Sequence, residues 1–180
     1  IDPDLPEALA SSGMIKFNFE YDWRGGESDI KRALELNPNC ADAHLRLSEI
    51  LLSKGQIDEA IKEISAFLES DPLSLGAQTT FAIILYLAGR YDDALEQCQK
   101  TLETDPEHAY ALAILGECYV QKSLFREAIA ALQKATAFSG NNTECLSYLA
   151  HAYAVSGDLE KAHEILRELD KLSEHVYVSK

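Results

Sequence analysis

The 180-residue sequence is poor in methionine and tryptophan, with one of each, and poor in positive charge, with 16 lysines and arginines against 30 aspartates and glutamates. The net charge of −14 repels phosphate backbones and anionic membranes, which argues against direct nucleic-acid or membrane binding. It leaves two readings open, a solvated exterior or attraction to a basic partner. No run of 18 apolar residues occurs, so no transmembrane helix is expected, and no signal peptide is visible. Of the four cysteines, Cys40, Cys98, Cys118 and Cys145, none forms a CxxC pair, and no His/Cys cluster has zinc spacing. Neither a metal nor a cofactor is expected. A reducing cytoplasm is the simplest compartment for such thiols. HExxH, GxSxG, a glycine-rich phosphate loop and a catalytic Cys/His signature are all missing, so the sequence names no catalytic residue.

What is present is a period. Asn37-Pro38 returns 34 residues later as Asp71-Pro72 and again 34 later as Asp105-Pro106, and a further step lands on Ser139-Gly140. Each pair stops a helix, since proline lacks a backbone donor and disfavours helix for the residue before it. The stops define five repeats: Glu7–Cys40, Ala41–Ser74, Leu75–His108, Ala109–Asn142 and Thr143–Val176. Position 8 of the repeat reads Met14, Ser48, Ala82, Gly116, Ala150, and position 20 reads Gly26, Ala60, Ala94, Ala128, Ala162. These mostly small residues let two helices approach closely. Large residues recur at positions 11, 17 and 24, from Phe17, Trp23 and Ile30 in the first repeat to Tyr153, Leu159 and Leu166 in the last. They are expected to fill the space around that contact, with Trp23 in the core. Turn residues at each midpoint, such as Lys54-Gly55-Gln56, divide the repeat into two helices of about 13 residues. In the first repeat the midpoint turn is expected over Tyr21-Asp22-Trp23-Arg24-Gly25-Gly26.

This pattern resembles the tetratricopeptide repeat, whose 34-residue unit carries small residues at positions 8, 20 and 27 and proline at 32. Position 27 departs toward bulk at Phe67 and Leu169, and the last two repeats lack the proline. The resemblance spans nearly the whole chain. It implies an all-α fold, a right-handed α-solenoid of about ten antiparallel helices, with residues 1–180 forming a single array. Tyr21-Asp22-Trp23-Arg24-Gly25-Gly26-Glu27 and Glu174-His175-Val176-Tyr177-Val178-Ser179 are similar to repeats in bacterial multidomain signalling and regulatory proteins. That likeness implies a sensory or docking role beside other domains. The ends at Ile1 and Lys180 read as cuts from a longer protein.

In this family the first helices line a concave groove, so the resemblance places positions 2, 5, 9, 12 and 13 there. The expected partner-binding residues are Asn18, Glu49, Ile83, Tyr86, Tyr110, Glu117, Val120, Glu144 and His151. Some family members clamp a chaperone's C-terminal carboxylate with lysine, asparagine and arginine. Here Ser11, Ile15, Gly76 and Thr80 stand at matching positions and Arg46 alone is basic, so that ligand is not expected. Apolar residues with acids suit a basic, partly apolar protein or peptide segment, with Glu49, Glu117 and Glu144 meeting its cations. Alternatively, these side chains pack against neighbouring helices or stay solvated. His151 beside Glu117 is expected as a satisfied polar contact, not an acid/base pair. The leading reading is a non-catalytic interaction module. The alternatives are self-association through the array ends near Val176-Tyr177-Val178, a sensory accessory domain, or an enzyme.

Overall fold

The computed structural model describes residues 5–173. Among them are ten helices and no strand: α1 Pro6–Asn18, α2 Trp23–Leu36, α3 Ala41–Ser53, α4 Ile57–Ser70, α5 Leu75–Leu87, α6 Tyr91–Thr104, α7 Ala109–Gln121, α8 Phe125–Phe138, α9 Thr143–Ser156 and α10 Leu159–Ser173. The second helix of each pair begins 34 residues after the last, at Trp23, Ile57, Tyr91, Phe125 and Leu159. The period in the sequence is therefore the period of the helices.

The stops work as their chemistry dictates. Asn37, Asp71 and Asp105 end their helices with φ of −138°, −135° and −134°, outside the helical region that a following proline disfavours. The fourth stop has no proline and turns differently, with Gly140 and Asn141 both left-handed at φ 67° and 61°. The Asn142 side chain then caps α9, accepting from Glu144 N–H at 2.8 Å. Inside the helix pairs one position recurs in left-handed backbone: Tyr21, Gly55, Gly89, Ser123 and Gly157, with φ from 56° to 92°. Acids open α4 (Asp58, Glu59) and α6 (Asp92, Asp93), where the helix dipole favours them.

Contacts divide the chain into two compact bodies, Ile1–Ile84 and Leu85–Lys180. The first is built on Ala10, Ile30, Ala33, Ala43, Ile50, Ala60, Ile64 and Phe67. The second is built on Leu112, Ala113, Ala128, Leu132, Ala135, Cys145, Leu149 and Tyr153. Position 24 is a core position in four repeats, since Ile30, Ile64, Cys98 and Leu132 are fully buried. Position 20 is buried in all five. Bulk at position 27 is accommodated at Phe67, which is buried.

Three expectations for the first repeat change. The small residue facing α2 is Gly13, not Met14, because α1 starts one residue ahead of the repeat frame, at Pro6. Arg24, Gly25 and Gly26 lie inside α2, because Asp22 caps that helix by accepting from Gly25 N–H at 2.9 Å, which leaves Phe19–Asp22 as the turn. Trp23 is 61% exposed instead of core, because position 17 opens the second helix, at the edge of the packed face. Leu159 at the same position is also exposed, and so is Leu166 at position 24 of α10. Val176-Tyr177-Val178 lies outside the described residues.

Glycine content yields one simple expectation. Gly76 sits in the first turn of α5, where a β-carbon would meet nothing within 4 Å. Gly76→Ala therefore raises stability by about 0.5–1 kcal/mol, from lower backbone entropy in the unfolded chain, read as a higher urea midpoint with unchanged slope.

Candidate functional site

The second body gathers polar side chains from α5, α7 and α9. Glu117 on α7 is only 6% exposed. Tyr86 on α5 donates its hydroxyl to Glu117 Oε2 at 3.3 Å, and Gln121 Nε2 donates to the same tyrosine at 3.4 Å. His151 on α9 places Nδ1 3.7 Å from Glu117 Oε1, close enough for ion pairing but too far for a hydrogen bond. Glu117 Oε1 is thus buried without a hydrogen-bond partner. Glu117 and His151 share position 9 in successive repeats, so the repeat itself stacks them. Tyr148 donates to Glu144 Oε1 at 2.9 Å one helical turn away. Tyr86 also rests on Tyr91, ring centroids 5.7 Å apart.

Electrostatics follow burial. Desolvation pushes the Glu117 carboxyl above its ordinary range, opposed by His151 and by the Tyr86 hydroxyl. Burial, then the Glu117 charge, raises Tyr86. Burial, then the bond to Glu144, raises Tyr148, which also feels Glu117 and Tyr86. Two cysteines behave as core residues. Burial pushes the Cys98 and Cys118 thiols up to about 12, so they stay protonated and poorly nucleophilic at neutral pH.

The residues expected to bind a partner fall into three groups. Tyr86, Glu117 and His151 are brought together, with Glu144 tied to Tyr148. Tyr110 is exposed at the start of α7, whereas Val120 is buried in the second core. In the first body, Asn18 is exposed at the end of α1 and Ile83 is partly buried. Glu49 is met by Arg46 of its own helix at 3.2 Å, which offsets the charge assigned to a partner's cation. Sequence reasoning missed Tyr148 at position 6. The signal was its spacing of four from Glu144.

Two family models, both described as tetratricopeptide repeat, match the chain, one over residues 79–142 and the other over 20–78 and 121–173. The chain belongs to the tetratricopeptide repeat family. Solved structures agree on the fold. TTC0263, a thermophilic TPR protein of Thermus thermophilus, superposes with a TM-score of 0.80 at 21% identity, covering 94% of this chain and 92% of that one. Pseudomonas aeruginosa pilF gives 0.79 at 18%, covering 92% and 75%. MamA from Desulfovibrio magneticus gives 0.75 at 16%, covering 94% and 95%. No curated protein sequence matches the chain. A TPR array is in general a protein-interaction scaffold, and TPR repeats are generally non-catalytic. Among the described residues no helix is long and apolar enough to cross a membrane.

Proposed function

We propose that this TPR chain works as a single non-catalytic array that binds a basic, partly apolar protein segment on the face formed by α5, α7 and α9. The observation that carries the reading is the buried Glu117 carboxylate with one unpartnered oxygen, framed by Tyr86, His151 and Gln121. A buried carboxylate projects negative potential through a low dielectric more strongly than a solvated one. Tyr86 and Tyr110 add amphipathic contact area of the kind that anchors interfaces. Asn18, Glu49 and Ile83 belong to the same reading as contacts of the first body. Four unbridged thiols suit a reducing compartment such as the cytoplasm.

One observation favours self-association as a second reading. Leu166 on α10 is 49% exposed, while its counterparts Ile30, Ile64, Cys98 and Leu132 are fully covered. The two readings separate in one experiment. The intact chain is used to capture partners from source lysate beside a variant carrying Tyr86→Ala, Tyr110→Ala and Glu144→Lys. Capture of a basic protein by the first and its loss from the second, with equal helicity by circular dichroism, supports the proposal. Equal capture by both removes the α5/α7/α9 face. No capture, with concentration-dependent mass on a sizing column that Leu166→Glu abolishes, replaces it with self-association.

A further inference from the structure

The α1–α2 turn is unlike the other turns of the chain. Phe19, Tyr21 and Trp23 are 77%, 76% and 61% exposed, three large aromatics left in water within five residues. Tyr21 also holds φ 56°, at the position where three other helix pairs place glycine and one a serine. That backbone is disfavoured for a bulky residue. It is fixed by Asp22 N–H donating to Lys16 O at 3.0 Å and Glu20 N–H donating to Ile15 O at 3.3 Å. Neither core packing nor turn geometry calls for an aromatic there.

The surroundings indicate what such a face would hold. Phe17 and Trp23, with Ser53 and Lys54 from the end of α3, line a pocket of about 360 Å³, at the small end of ligand sites. The cations beside it already have acid partners: Lys54 pairs with Glu27, which Lys31 also holds at 3.0 Å, and Lys16 pairs with Asp29 at 2.6 Å. Arg24 lines a different recess, of mixed charge, with Lys31, Arg32, Glu27, Asp29 and Glu35. Glu20 and Asp22 alternate with the three aromatics, both exposed, and their charges reach Lys16. Between Phe19 and Arg24 the turn carries two acids, Glu20 and Asp22, against the one cation Arg24, so the charge set among the three aromatics is negative, although Asp22 also accepts from Gly25 N–H.

We propose that Phe19-Glu20-Tyr21-Asp22-Trp23 is a second docking surface, for an arginine-bearing segment of a partner protein. The planar guanidinium stacks on Trp23 or Tyr21 and pairs with Glu20, and its aliphatic stem covers Phe17. Arginine fits better than lysine, because its flat, weakly hydrated cation stacks on aromatic rings without losing its ion pair. This surface lies in the other body from Glu117 and does not rest on the function proposed above.

The chain holds one tryptophan, so Trp23 emission reports on this site directly. The test titrates the intact chain with a capped tetra-arginine peptide and with the neutral tetra-citrulline peptide of the same shape. A saturable emission shift is expected with arginine, and affinity lower by about tenfold or more with citrulline, the factor that 1.4 kcal/mol of lost interaction gives. Tyr21→Gly, which relieves the turn instead of straining it, lowers arginine affinity, as does Glu20→Lys. The proposal is overturned if arginine gives no shift, if citrulline binds equally, or if Tyr21→Gly binds as the parent does. An emission change on diluting the chain alone assigns the face to a second copy and overturns it too.

Discussion

Alanine in place of Gly26 destabilises the chain by about 3 kcal/mol, at the upper end of the usual cost of overpacking. A β-carbon on Gly26 would lie 2.5 Å from the Gly13 carbonyl oxygen and 3.0 Å from the Phe17 backbone nitrogen. Both obstacles are main chain, so no rotamer change relieves them, and α1 and α2 must move apart. The contact is reciprocal, because a β-carbon on Gly13 would lie 2.6 Å from the Gly26 carbonyl oxygen. Separation also lifts α1 from Ile30, which is fully buried. Gly116→Ala is the informative comparison. Its new carbon would press on the Leu132 side chain, with the nearest carbon at 2.5 Å, and a side chain can give more than a backbone. Gly26→Ala is therefore expected to cost more than Gly116→Ala, while Gly76→Ala stabilises. Urea unfolding ranks the three. Hydrogen exchange should place the Gly26→Ala damage in α1 and α2, since each repeat of a solenoid contacts only its neighbours. An unchanged midpoint for Gly26→Ala would remove the close glycine contact as a source of stability.

That contact also marks where sequence reasoning reached and where it stopped. The helix positions were legible because Asn37-Pro38, Asp71-Pro72 and Asp105-Pro106 act locally, within a turn of where they stand. Position 24 was legible because it faces the paired helix, where Ile30 meets Gly13 and Leu132 meets Gly116. Position 17 was not, because it opens the second helix, and exposure there depends on what neighbouring turns cover. Trp23 fell on the uncovered side. The first repeat also carries a one-residue frame offset that a strict 34-residue alignment hides, so Met14 was read where Gly13 serves. Around Glu117 the phase put His151 in register, 34 residues on, yet its surroundings also include Tyr86 from a third helix. No single stretch of sequence encodes those surroundings. Tyr148 was overlooked because position 6 was not counted as part of the face.

The burial of Glu117 makes a second large effect measurable, in affinity and in pH dependence together. An exposed ion pair contributes about 0–1 kcal/mol, so a surface acid would scarcely be missed. A desolvated acid facing a partner's cation is worth more, and Glu117→Gln is expected to weaken a basic ligand by about tenfold or more. The amide keeps the shape and still accepts from Tyr86, so the loss reports charge and not packing. Stability moves the other way. The folded carboxyl sits above its ordinary value of 4.5, so the unfolded chain releases this proton first as pH rises. Glu117 therefore costs no stability below that value, and its cost grows as pH climbs through the window up to the raised folded value. His151 and the Tyr86 hydroxyl oppose the shift, while Tyr148 and Glu144 stand on the neighbouring helix α9. Glutamine does not titrate, so the stability of Glu117→Gln relative to the parent rises with pH across the window and is flat beyond it. Paired urea midpoints from acid to neutral pH check the sign. A relative stability that falls with rising pH would mean the carboxylate is net stabilised where it lies, by His151 and Tyr86. The unpartnered oxygen would then have no free potential to offer a ligand, and the affinity loss should vanish with it.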